Sequence, residues 1–289
     1  MAYTRKTYRF RNAIEREEYH SGRYGAPGEK RRKKENPTPE QMEKVNQRNR
    51  EKMARRRLRK YFRKEDLFVT LTYAPEKRPA DMEAAKEDFR RFVAKIKPSY
   101  RKLGTELRWI RNIERGTRNA WHIHLVVNRI PDADLTVASA WAHGTVDLRP
   151  CHTAGEFRKL AGYLTKTPKT ESRLKESSYS SSRNMPLPEP EKREVTRWDT
   201  WEEGEVRVPK GFYLDKESYH EGINPVTGFR YREYTLLRVK EKEDRDAEGG
   251  HIHRHDPAGV RKRRGERDVH HADPAGRGRR PRAEGGGGD

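Results

Sequence analysis

Trp121-His122-Ile123-His124-Leu125-Val126-Val127-Asn128 reads as a β-strand, because apolar and β-branched residues dominate it and a polar Asn ends it. Side chains on a strand alternate between faces, so His122 and His124 share one face. Ile123, Leu125 and Val127 point the other way, toward a core. Two imidazoles fixed side by side on a rigid strand make a metal site that lacks a third ligand. Taken alone, they would equally suit two surface histidines on a half-exposed strand. The neighbouring sequence decides.

Just upstream, Glu106 to Glu114 alternates like a strand, and Arg115-Gly116-Thr117-Arg118-Asn119 is turn chemistry. A hairpin turn centred near Arg118 sets Glu114 directly across from His122, with Cβ atoms within roughly 5 Å. Glu114, His122 and His124 then form a carboxylate-plus-two-imidazole cluster. Mixed O and N donors of this kind suit Mg²⁺ or Mn²⁺, which can act as a Lewis acid on a phosphoryl oxygen.

Working outward, Leu67 to Tyr73 is a strand by composition and alternation. Asp81 to Lys97 is a helix, with Ala85, Phe89, Phe92, Val93 and Ile96 at helical spacing and Pro98 as its stop. Pro131 to Ala142 predicts a short helix and Thr145 to Arg149 a short strand. Ala154 to Lys166 predicts a helix with a buried stripe of Phe157, Leu160, Ala161 and Leu164. The order β-α-β-β-α-β-α predicts an α+β fold: a split-βαβ (ferredoxin/RRM-like) antiparallel sheet with helices on one face and a ligand on the other. On the last helix Tyr163 and Lys166 are three residues apart, so hydroxyl and ammonium can address one point. A tyrosine is a weak nucleophile at its free pKa near ~10 and needs a polarised phosphodiester and a cation to help it.

The 289 residues carry a net charge of +21 with only 31% hydrophobic residues, and the mean hydropathy is −1.27. Such a basic chain suits a polyanion, nucleic acid first. No apolar run approaches membrane-spanning length, and the start of the chain lacks a secretory apolar core, so a cytoplasmic protein is expected. Cys151 is the sole cysteine, which excludes an intrachain disulfide and a cysteine-rich zinc site.

The series Phe68-Val69-Thr70-Leu71-Thr72-Tyr73, then Glu114 with seven residues before His122-Ile123-His124, then Tyr163-Leu164-Thr165-Lys166, resembles the three motifs of the HUH endonucleases. It is most similar to the single-tyrosine rolling-circle replication initiators of plasmid and phage type, over roughly residues 65 to 170. The resemblance implies a metal held by Glu114, His122 and His124, and attack by Tyr163 on single-stranded origin DNA. A 5′-phosphotyrosine and a 3′-OH primer would result, and the strand would later be rejoined. It also implies that Lys166 positions the phosphate or offsets charge, and that Thr70 and Thr72 face the DNA. With one tyrosine in the motif, termination needs a second protomer, as in a homodimer, another tyrosine, or water. No phosphate-binding loop follows the G-x-x-x-x-G-K-[ST] pattern, so a host helicase and polymerase are expected partners.

The flanks read less sharply. Residues 1–62 predict a flexible basic arm, with Lys30-Arg31-Arg32-Lys33-Lys34 gripping phosphates, then a helix from Pro39 to about Phe62 capped by Thr38 and Gln41. Its basic side is expected to face outward, with Arg55, Arg56 and Arg57 on DNA. Residues 63–170 form the expected catalytic domain. Residues 171–240 read as an accessory region, starting in an exposed loop around Tyr179 to Asn184 and continuing in short strands rich in aromatics. Residues 241–289 read as a disordered charged tail. That tail repeats His251-Ile252-His253 without a strand, a facing carboxylate or a Tyr-x-x-Lys, so no catalytic site is expected there. Two other readings stay open. One is a non-catalytic nucleic-acid-binding module of RRM-like fold, which would want aromatics where this sheet presents Glu114, His122 and His124. The other is a transposase or relaxase of the same catalytic family.

Overall fold

The structure, a computed structural model, describes residues 3–20, 36–151, 156–196, 201–202, 204–224 and 227–239. These lie in one compact unit, Met1–Glu243. The Lys30–Lys34 run and the tail with its second His-Ile-His fall outside the described residues.

The chain is α+β, with two five-stranded antiparallel sheets. The first contains β3 (Leu67–Thr72), β4 (Trp109–Gly116), β5 (Trp121–Val127), β6 (Val146–Pro150) and β7 (Leu174–Ser181), in the order β6-β3-β5-β4-β7. Without β7 this is the split-βαβ arrangement, with α2 (Met82–Lys102) and α3 (Ala133–Ala140) as its crossovers. The alternation of the strands is visible in the packing: Val69, Leu71, Ile113, Trp121, Ile123 and Leu125 meet Phe89, Phe92 and Ile96 of α2 on one face.

Three expectations change here. Pro98 does not stop α2, which runs on to Lys102. Tyr100 in that last turn is fully buried and its hydroxyl donates to Asn128 O at 2.6 Å, which holds the turn against the core. The segment expected as an exposed loop is mostly strand: β7 pairs with β4 from Gly116 to Ile110 and contributes polar Ser side chains to an edge. The histidine face is also partly covered. Ala54 and Leu58 of α1 (Pro39–Tyr61), with Phe62 just beyond it, pack over Ile110 and Val126 together with Phe157, Ala161 and Leu164 of α4 (Glu156–Thr165). Helices therefore lie on both faces, and only the end of the sheet bearing the histidines stays accessible.

The N-terminal segment is not an arm at its start. β1 (Tyr3–Arg9) and β2 (Ala13–Tyr19) form a hairpin that joins β8 (Glu191–Val195), β9 (Phe212–Ile223) and β10 (Arg230–Arg238) in the order β8-β1-β2-β10-β9. The two flanks of the central segment thus build one second sheet. Its apolar core is small, centred on Ile14, Tyr234 and Leu236. What it presents to α1 is charge. Glu15, 2% exposed, accepts from Arg55 Nε at 2.9 Å, Arg56 Nε at 3.0 Å and Arg59 Nη1 at 2.6 Å. Glu17 pairs with Arg56 at 2.7 Å and Lys52 at 3.0 Å.

Helix α1 itself starts as its sequence dictates. Thr38 Oγ1 accepts from Gln41 N, Gln41 Oε1 accepts from Thr38 N, and Pro39 sits in the first turn. Among the described residues no helix is long and apolar enough to cross a membrane.

Candidate active site

The hairpin register places Glu114 opposite His122, and the next step along the same face pairs Asn112 with His124. On the other side of β5, Thr72 faces His122 and Thr70 faces His124. One face of three adjacent strands therefore carries the polar groups of the site. The Gly116–Asn119 turn, with Asn119 at φ 57°, closes the hairpin that fixes this register.

α4 brings Tyr163 over the face. Its hydroxyl lies 2.9 Å from His124 Nε2 and 3.3 Å from His124 Nδ1, and its ring stands edge-on to that imidazole. Phe68 stacks on the same imidazole at a 6.2 Å centroid distance, and Thr70 Oγ1 is 3.3 Å from Nδ1. Lys166, just past the helix, reaches Glu114 Oε2 at 3.0 Å and sits 4.0 Å from the Tyr163 ring centroid. His124 Nε2 is 3.5 Å from the same carboxylate oxygen. Tyr163, Lys166, Glu114, His124 and Thr70 thus meet at one point, with the His122 ring stacked beside His124 at 6.1 Å.

Asn112 belongs to this group although its sequence position did not single it out. It is fully buried and donates from Nδ2 to Glu114 Oε1 at 2.9 Å, while its own Oδ1 is buried with no partner among the described residues. The signal was available: Asn112 lies two residues before Glu114, on the same strand face.

Burial pushes the Glu114 carboxyl up, but hydrogen bonds and charge from His124 and Lys166 outweigh it and hold the group below its ordinary value. Burial, reinforced by His124, lowers His122 and favours the neutral imidazole. Burial, then the Glu114 charge, pushes the Tyr163 phenol up to about 12. The three expected ligands share a face without forming a closed cage: among the described residues, no group of three or more His, Cys, Asp or Glu side chains is arranged as one.

The remaining expected contacts are placed differently. Thr72 Oγ1 is bonded to Thr145 Oγ1 at 2.5 Å. Arg55 and Arg56 are committed to Glu15 and Glu17, and Arg57 donates to Met185 O at 3.0 Å. These arginines hold the second sheet and the β7 flank in place instead of facing outward. A guanidinium beside a buried carboxylate is stabilised by that pairing.

What α1 does for the site is mechanical. Gln47 Nε2 donates to Thr165 O at 3.1 Å, which pins the end of α4 between Tyr163 and Lys166. No curated protein and no solved structure matches the chain. Residues 66–168, which run from the lead-in to β3 through β4, the histidine strand and α4 to just beyond Lys166, match the family model of replication-associated proteins of the ORF2 and gene-2-protein type.

Proposed function

We propose that this chain is a nicking and joining enzyme of the HUH type that initiates replication on single-stranded origin DNA, with Tyr163 as its nucleophile. One observation carries the reading: the Tyr163 hydroxyl rests on His124 while Lys166 rests on Glu114, inside a segment that matches replication-associated proteins.

Glu114, His122 and His124 are the residues that would hold a divalent ion. They fit one chemically, because the carboxyl is kept ionised and His122 is kept neutral, the forms that ligate. The orphaned Asn112 Oδ1 is a further oxygen beside them, and a hydrated cation would supply the donor it lacks. Mg²⁺ or Mn²⁺ bound there supplies Lewis-acid polarisation of a phosphate oxygen.

The chain's own groups do the rest. Tyr163 Oη bonds to phosphorus as the P–O3′ bond breaks, so one phosphodiester is exchanged for another and its energy is retained for rejoining. The phenolic proton must leave during attack, and Tyr163, 39% exposed, can pass it to water. The Lys166 ammonium over the ring is a fixed positive charge that favours the developing phenolate. The leaving 3′ oxygen takes a proton from water and becomes a primer end. A polymerase and a helicase would come from the host, and termination would use a second protomer, a further tyrosine or water.

The test is a denaturing gel of purified protein incubated with Mn²⁺ and a panel of labelled single-stranded candidate origins. A covalent adduct is expected with wild type and not with Tyr163→Phe. An adduct that persists in Tyr163→Phe rules out the nucleophile, and wild-type rates in His122→Ala and His124→Ala rule out the metal ligands.

A further inference from the structure

Next to Tyr163 opens a groove of about 660 Å³ between β3, β6 and α4. Neither Glu114, His122 nor His124 lines it. Its floor is apolar, with Phe68 and Leu160, and Tyr163 forms one wall. Its rim is charged, with Asp147, Arg149 and Lys159. The groove is continuous with the site across the sheet, because Thr70 pairs with His124 on one side and with Asp147 on the other. Phe68 pairs with Arg149, so the stacking ring and the rim cation also sit on neighbouring strands. The Arg149 Nε donates to Asp147 Oδ2 at 2.9 Å, and both side chains are more than half exposed.

The reaction geometry selects what fits there. In an in-line displacement the leaving 3′ oxygen lies opposite the attacking Tyr163 oxygen, so the nucleotide that departs points away from Tyr163. The nucleotide on the other side of the scissile phosphate stays bonded to phosphorus through its 5′ oxygen, and after attack it is tethered to Tyr163 itself. A groove that has Tyr163 as a wall is within reach of that nucleotide. An apolar floor with an aromatic ring suits a base face, and two rim cations suit its sugar-phosphate. A paired carboxylate and guanidinium offer an acceptor and donors to a base edge. The volume lies within the ordinary range for a small-molecule site.

We propose that this groove binds the nucleotide immediately 3′ of the scissile phosphate, the one that becomes covalently attached, and that Asp147 and Arg149 select its base. The inference rests on the nicking function proposed above and adds a specificity site to it.

The experiment measures kcat/KM for adduct formation by the full chain with Mn²⁺, using oligonucleotides whose nick has been mapped. An abasic site immediately 3′ of the nick is expected to lower kcat/KM by roughly 5- to 100-fold, the loss of one stacked base. An abasic site remote from the nick serves as reference. Asp147→Ala and Arg149→Ala are expected to flatten the preference among the four bases at that position. Arg101→Ala, an exposed cation on α2, is expected to leave the preference intact. Adduct formation with an abasic 3′ position no slower than the reference, or with wild-type base preference in both rim variants, overturns the groove assignment alone. Equal flattening by Arg101→Ala overturns it too, since charge anywhere would then suffice. A wild-type protein that forms no adduct with any oligonucleotide overturns the nicking function and this inference together.

Discussion

Replacing Glu15 by Gln removes one charge from the middle of the contact between α1 and the second sheet. Glu15 accepts from Arg55, Arg56 and Arg59, and not all three lose equally. Arg55 is 17% exposed and can turn to water, and Arg56 keeps Glu17 at 2.7 Å. Arg59 is 1% exposed, and its Nε and Nη2 are already buried without partners among the described residues. Burial pulls its guanidinium down only to about 10, so it stays charged at neutral pH. A buried charge left without its counter-ion costs about 3–5 kcal/mol. For a unit of this size that corresponds to a Tm lowered by roughly 6–20 °C.

Thermal unfolding followed by circular dichroism at pH 7 reads the shift directly, and a Tm within about 2 °C of wild type would refute the reasoning. The pH dependence gives a second check. Burial pushes the Glu15 carboxyl up, but the three guanidiniums overcompensate and hold it far below the ordinary carboxylate range. Its stabilisation is therefore present above the unfolded value near ~4.3 and is lost as pH falls through the depressed folded value. The gap between wild type and Glu15→Gln is expected to narrow only below about pH 4. A gap that narrows between about pH 8 and about pH 6 would point to a different group.

Other expectations follow from the site and its supports. A Cβ at Gly144 would sit 2.3 Å from Thr72 O and 2.8 Å from Ala74 N, so Gly144→Ala should destabilise by about 1–3 kcal/mol in urea unfolding; an unchanged midpoint would contradict the close approach. Lys166→Ala should slow adduct formation by roughly 10²-fold in single-turnover assays, and recovery in Lys166→Arg would show that the charge is what counts. Titration calorimetry with Mn²⁺ should show binding to wild type that weakens at least about tenfold in His124→Ala. Equal affinity in both would remove the imidazole from the ligand set. Thr38→Ala should cost about 1 kcal/mol through loss of the capping box, read as a lower urea midpoint.

The first sheet was legible because its strands alternate cleanly. Ile123, Leu125 and Val127 against His122 and His124 announce two faces, and the Gly116–Asn119 turn fixes which residue meets His122. The register that follows needed only counting. The second sheet was hidden for a physical reason. β2 reads Ala13-Ile14-Glu15-Arg16-Glu17-Glu18-Tyr19, charged through its middle, because the carboxylates it buries are matched by arginines on α1 instead of by hydrocarbon. Charged runs are ordinarily solvated, and nothing local distinguishes a carboxylate that will be buried by a helix some forty residues away. The same pairing explains why Arg55 and Arg56 look like DNA contacts in one dimension and serve as anchors in three. β7 stayed hidden because an edge strand of serines needs backbone pairing more than apolar side chains. Pro98 misled because a tertiary contact, Tyr100 to Asn128, outweighed a local stop signal.

The second sheet also constrains the order of events during synthesis. β2 lies between β1 and β10, and Ile14 is paired with Leu236. A ribosome adding about 5–20 residues per second needs roughly 10–45 s to make the intervening chain. For that interval the hairpin of β1 and β2 has an open edge and Glu15 waits beside it, while the strands from β3 to β7 can already pair among themselves. The histidine-bearing segment can therefore take shape before its own brace is complete. Closing β10 onto β2 is the step that joins the earliest and latest described strands, and it comes last.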